Sequence, residues 1–205
     1  MSNVVLSRAS LRTTELPVYT GIAIADIQLV HSEALACEAF DALLASDVIG
    51  FDTESKPTFL KGEISTGPHL IQLATEDRAY IFQVSRLHGT DKLKEILESP
   101  QVLKVGFGIG NDRSVLRSRL GIEANNMLDL GEVLRGPGHR GSVGAKVAVA
   151  HFFAHKLQKS KKTSTSNWAT HQLTERQILY AANDAHVALR IYRAWAATGS
   201  LALTE

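Results

Sequence analysis

Cysteine occurs once, as Cys37, so no intramolecular disulfide can form and no metal centre built from several thiolates is available. Its setting in SEALACEAFDALLAS predicts a buried helical position, the usual habit of a free thiol. No stretch reaches the roughly 18 apolar residues of a membrane span. The first 30 residues show no basic start followed by an apolar run, so no membrane partner is expected and a cytoplasmic address is the default. Internal repeats and linker-like stretches are also missing, which points to one domain over 21–205 after a loose lead-in over 1–20.

A further absence is local. Between Val133 and Thr174 there is no Asp or Glu, while Arg135, Arg140, Lys146, Lys156, Lys159, Lys161 and Lys162 give that segment +7. The remainder holds 15 basic and 21 acidic residues, so a net charge of +1 conceals two halves of opposite sign. Such segregation suits a surface that meets a polyanion while carboxylates are kept for another task. At 44% apolar and 21% charged residues, the chain has the composition of an ordinary globular fold.

Periodicity supplies the elements. Strands are expected at 27–30, 48–54, 69–75, 79–84 and 102–107, the third and fourth joined as a hairpin across Glu76, Asp77 and Arg78. Ser32 is placed to cap a helix carrying Leu35, Ala36, Ala39, Leu43 and Leu44. Further helices are expected over 90–98, from about residue 111, and over 142–153 after the break RGPGHRG. The segment KLQKSKKTSTSN reads as an exposed loop, and Thr174 with Gln177 forms a capping-box pattern opening a helix that runs to about residue 197. Helices alternating with strands in this way predict an α/β fold, a mixed sheet flanked by helices.

Two acids stand out in VIGFDTE. Strand period puts Asp52 and Glu54 on one face, opposite Phe51 and Thr53, in a run that reads as a central strand. Unpaired carboxylates are costly there, and a hard cation would compensate them. Tyr180 and Asp184 lie one turn apart on the final helix, and Asp112 falls in the first turn of a helix, where the macrodipole keeps it ionised. The glycines at 106, 108 and 110 lack the third glycine of a dinucleotide loop.

Asp52, Glu54, Asp112, Tyr180 and Asp184 together resemble the DEDDy exonuclease family in motif order and approximate spacing. GPHLIQLAT, VGFGIGNDRSVLR and NWATHQLTERQILYAANDAHVALRIYR are similar to its Werner-type and ribonuclease D branch, over roughly residues 45–197. The resemblance implies a ribonuclease H-like fold, 3′-to-5′ exonuclease activity and two divalent cations, Mg²⁺ or Mn²⁺. It implies that Asp52 bridges the cations, that Glu54 and Asp184 complete one shell and Asp112 the other, and that Tyr180 orients the attacking water. Pro57, Thr58 and Phe59 are candidates for a short loop over the terminal nucleotide, with core packing an equal alternative for Phe59.

The expected partner is a nucleic acid with a free 3′ end, leaning slightly to DNA, and contacts are assigned to Lys156, Lys159, Lys161, Lys162, Phe59 and Trp168. The 205 residues leave no room for a helicase module, and the helical appendage that follows the nuclease in ribonuclease D is lacking, so grip is expected from this domain, a homo-oligomer or a partner. Two other readings stay open: a catalytically silent nucleic-acid-binding module and an oligoribonuclease-like degrader of very short strands.

Overall fold

The structure, a computed structural model, describes residues 15–60, 62–87, 90–135 and 141–199. The five expected strands are β1 (Ile27–Val30), β2 (Val48–Glu54), β3 (Leu70–Ala74), β4 (Ala79–Gln83) and β5 (Leu103–Gly106). A three-residue β6 (Met127–Asp129), too short to carry a periodic signal, completes the sheet. The strand order is β1-β4-β3-β2-β5-β6. β3 runs antiparallel to both β2 and β4, whereas β1 with β4, β2 with β5 and β5 with β6 are parallel. The sheet is therefore mixed and β2 lies inside it.

Helices cover both faces. On one lie α1 (Glu33–Leu44), α2 (Asp91–Glu98) and α3 (Asp112–Leu120), packed on Ile49, Phe51, Ile71, Leu73, Tyr80 and Phe82. After α3 and β6 come the short α4 (Leu130–Val133), α5 (Ala145–Phe153), the single-turn α6 (Lys161–Ser164) and α7 (Glu175–Ala197). α5 and α7 build the opposite layer, with α7 lying across β2, β3, β4 and β5.

Local chemistry sets the helix starts. The Ser32 side chain accepts from the Leu35 N–H at 3.4 Å and begins α1. That helix buries Ala36, Ala39 and Leu43, and Cys37 sits about 100° round from Ala36. Cys37 is consequently exposed, which corrects the expected burial. At α7 the Thr174–Gln177 capping box is present, and Gln177 Nε2 also donates to Ser166 Oγ and the Asn167 carbonyl. The cap thus anchors the preceding segment to the helix that it starts.

That segment is more ordered than an exposed loop. The Lys156 backbone bonds to Pro17 and Tyr19, Leu157 is buried, and Ser160 caps α6 by accepting from Thr163 N–H. The same bonds tie down residues 17–19, part of the lead-in expected to be loose, and Tyr19 stacks on Phe153. Residues 1–14 of the lead-in, and residues 136–140 of the Gly and Pro break with Arg140, lie outside the described residues. No helix among the described residues is long and apolar enough to cross a membrane.

Candidate active site

Gly50 decides how close α7 comes to β2. A Cβ at Gly50 would lie 2.0 Å from the Ala185 carbonyl oxygen, so the helix backbone rests directly on the strand. Contact at that point sets Asp184, one residue before Ala185, beside the acids that follow Gly50 on β2. Asp52, Glu54 and Asp184 each offer a carboxylate oxygen within 4.8 Å of the other two.

Asp112 arrives along the strand's edge. β2 pairs with β5 only from Val48 to Gly50, and beyond that point its edge is free for the start of α3. The Thr53 hydroxyl donates to Asp112 Oδ1, while the Thr53 N–H donates to Asp52 Oδ1 at 2.9 Å. Thr53 therefore links the fourth acid to the other three, a role that its place between two acids did not announce.

Crowding and burial hold these carboxyls away from ordinary ionisation. Burial, and after it the Asp184 charge, pushes Asp52 well above the usual carboxylate range. Glu54 is raised to about 9 by burial first and by Asp52 and Asp184 next. Burial also raises Asp112, against the pull of the Thr53 hydrogen bond. For Asp184 burial again dominates, and Lys159 opposes it. Oxygen donors poised in this way fit hard divalent cations, whose charge would replace the protons.

Tyr180 faces the Asp184 carboxylate one turn along α7. Burial, with the charges of Asp184 and Glu54, raises its phenol above the ordinary value, so it stays protonated at neutral pH and serves as a donor. Trp168, expected to touch nucleic acid, is 1% exposed and packs against the Tyr180 ring at 5.9 Å between centroids. Its indole N–H donates to the Ser164 carbonyl. With its ring sealed in the core, Trp168 supports Tyr180 and offers no face to a base.

The expected strand contacts divide. Lys161 and Lys162 are exposed on α6, and Lys156 lines a cavity of about 500 Å³ with Lys146, Leu157, Gln158, Lys159 and Ser160. Lys159 instead reaches the acids, its Nζ lying 2.9 Å from Asp184 Oδ1. Phe59 is 79% exposed in the loop after β2, which removes the core-packing alternative. Its N–H and that of Leu60 donate to Glu63 Oε2.

Gln72, within GPHLIQLAT, is not among the expected site residues. It stands directly opposite Asp52 in the β2–β3 register, is fully buried, and neither amide atom has a hydrogen-bond partner among the described residues. A polar residue between Leu70 and Ala74 in a wholly buried strand was the available signal.

Residues 27–196 match the family described as 3′-5′ exonuclease. The bifunctional 3′-5′ exonuclease/ATP-dependent helicase WRN of Mus musculus is 31% identical over 72% of this chain and 11% of its own length. The exonuclease mut-7 homolog of Aedes aegypti is 33% identical over 82% of this chain and 26% of its own. This chain thus spans about a tenth to a quarter of these curated relatives. Among solved structures, the Aedes aegypti Nibbler EXO domain superposes with a TM-score of 0.73 at 26% identity, covering 90% of this chain and 94% of that one. Escherichia coli RNase D gives 0.71 at 23% identity over 85% and 46%, a likeness of fold. With its acids gathered on a ribonuclease H-like sheet and the match running through all of them, the chain belongs to the 3′-5′ exonuclease family, in its Werner and ribonuclease D branch.

Proposed function

We propose that this domain hydrolyses the terminal phosphodiester at nucleic-acid 3′ ends and releases nucleoside 5′-monophosphates, using two divalent cations, Mg²⁺ or Mn²⁺. The observation that carries the reading is the convergence of Asp52, Glu54 and Asp184 within 4.8 Å, with Asp112 joined to them through Thr53. Asp52, Glu54 and Asp184 would hold one cation, with Asp52 shared and Asp112 serving the other. Bound there, such a pair supplies an activated water and balances the charge that develops on the attacking and leaving oxygens. Tyr180, kept protonated by its surroundings, orients the attacking water by its hydroxyl.

Lys156, Lys161 and Lys162 would meet phosphates, and Phe59, on the loop that leaves β2 just after Glu54, would cover the terminal nucleotide. All four acids and the tyrosine meet in one place, which favours an enzyme over a silent binding module. Ribonuclease D of Trypanosoma brucei, solved with RNA U12, shares the fold at a TM-score of 0.72 and 18% identity, so we propose no preference for DNA. The test is incubation with Mn²⁺ or Mg²⁺ and 5′-labelled DNA and RNA oligomers of several lengths. A ladder shortening from the 3′ end is expected, and cleavage of only the shortest oligomers would select the degrader of short strands. No cleavage of any oligomer under either metal would overturn the enzyme reading.

A further inference from the structure

Lys159 is the cation that the acids already possess. Its Nζ is 2.9 Å from Asp184 Oδ1, with the side chains 29% and 8% exposed. It stands 5.8 Å from the centroid of the Tyr180 ring. Its charge pulls down the raised carboxyls of Asp52 and Glu54 as well as that of Asp184. Lys161 and Lys162, two and three residues on, are exposed and make no such contact among the described residues. Lys159 was expected to sit with them as one of several contacts to the strand; the structure separates it.

An ammonium bonded to a carboxylate proposed as a metal ligand poses a question of occupancy. One carboxylate oxygen cannot hold Lys159 and coordinate a divalent cation along the same direction, so the two compete for Asp184. Where the ammonium goes next is constrained. The cavity that Lys159 itself lines also holds Lys146 and Lys156, whose charges repel its ammonium unless an anion lies between. A half-buried ammonium without a partner is costly, and its flexible four-carbon stem allows it to follow a new anion nearby. The anion that a nuclease brings to this spot is the phosphodiester of the strand.

We propose that Lys159 is an exchanging counter-ion: it neutralises Asp184 in the metal-free domain, yields that oxygen on cation binding, and transfers its ammonium to a phosphate oxygen of the substrate. The proposal rests on the exonuclease reading of the same site. It keeps Lys159 as a contact to the strand, adds its exchange with the metal at Asp184, and so gives it a different task from its exposed neighbours.

The experiment uses the full chain, with Lys159→Met to keep the stem without the charge and Lys159→Arg to keep the charge. Mn²⁺ binding is measured by calorimetry without nucleic acid, and single-turnover cleavage at saturating Mn²⁺. Removing a competing cation should tighten Mn²⁺ binding of Lys159→Met by about fivefold or more, while Lys159→Arg stays near wild type. The cleavage rate of Lys159→Met should fall by at least about tenfold even with the metal sites filled, as for a lost transition-state donor. Mn²⁺ binding unchanged or weakened in Lys159→Met would overturn the exchange, because a merely structural lysine holds the site together. Tighter binding with an unchanged rate would overturn the transfer to phosphate. A wild-type domain that binds no Mn²⁺ would sink the two-metal reading and this proposal together, whereas normal wild-type binding with an indifferent Lys159→Met sinks this proposal alone.

Discussion

Asp52 shows what single side chains contribute. Strand alternation turns it to the α7 face, where it meets Asp184 from a residue 132 positions later in the chain. Neutralising it with the isosteric Asp52→Asn should abolish hydrolysis and leave the melting temperature in chelator no lower than that of the parent, since a crowded buried carboxyl is removed. Cleavage above a few per cent of the parental rate would refute the metal-ligand assignment. Tyr180→Phe deletes an orienting hydroxyl but no cation ligand, so the rate should drop by about 10-fold to 1000-fold without vanishing. An unchanged rate would reduce Tyr180 to packing for Trp168. The pairs Asp52 with Glu54 and Tyr180 with Asp184 were legible because strand and helix periods fix which residues share a face. Joining them to each other and to Asp112 rested on the resemblance to the exonuclease family. The burial of Trp168, the exposure of Cys37 and the Lys159–Asp184 ion pair were not legible, because burial and long-range pairing depend on neighbours distant in sequence.

Among elements, the pairing of α7 with β2 positions the site. The capping box, the apolar stripe and the strand runs are local patterns, and each was readable. α6 was not, since its single turn depends on the Ser160 cap and on burial of Thr163 more than on any apolar stripe. Nor was the closeness of α7 to the sheet, which turns on the missing side chain at Gly50. Gly50→Ala would drive a methyl to 2.0 Å from the Ala185 carbonyl, backbone that cannot step aside without moving the helix. A loss of about 2 to 4 kcal/mol in stability is expected, within the range for severe overpacking. Because Asp184 rides on the displaced helix, Mn²⁺ affinity should fall as well. Denaturant titration and metal calorimetry check the two effects, and a variant with parental stability would show that α7 is less closely seated than described.

At the level of the whole molecule, the acid cluster makes stability depend on pH in a direction opposite to that of most carboxylates. Glu54, at about 9 in the folded chain against an ordinary value of 4.5, binds more proton folded than unfolded throughout that interval. Its contribution is intact below pH 4.5 and is lost steadily as the pH rises toward 9. Lys104, fully buried with its ammonium on the Ser99 carbonyl and lowered by burial to about 8, acts the other way, adding stability between pH 8 and its ordinary 10.5. A comparison with Glu54→Gln cancels Lys104 and isolates the acid. In chelator, the two proteins should melt together near pH 4.5, with the variant increasingly the more stable up to pH 9. Saturating Mn²⁺ should reverse the order at high pH, since a ligand must lose its proton to bind metal and the variant has none to offer. Thermal melts from pH 5 to 9, with and without Mn²⁺, provide the measurement. A difference between the two proteins that stays constant across that range would mean that Glu54 is already ionised at neutral pH in the folded domain, and that another group compensates the cluster.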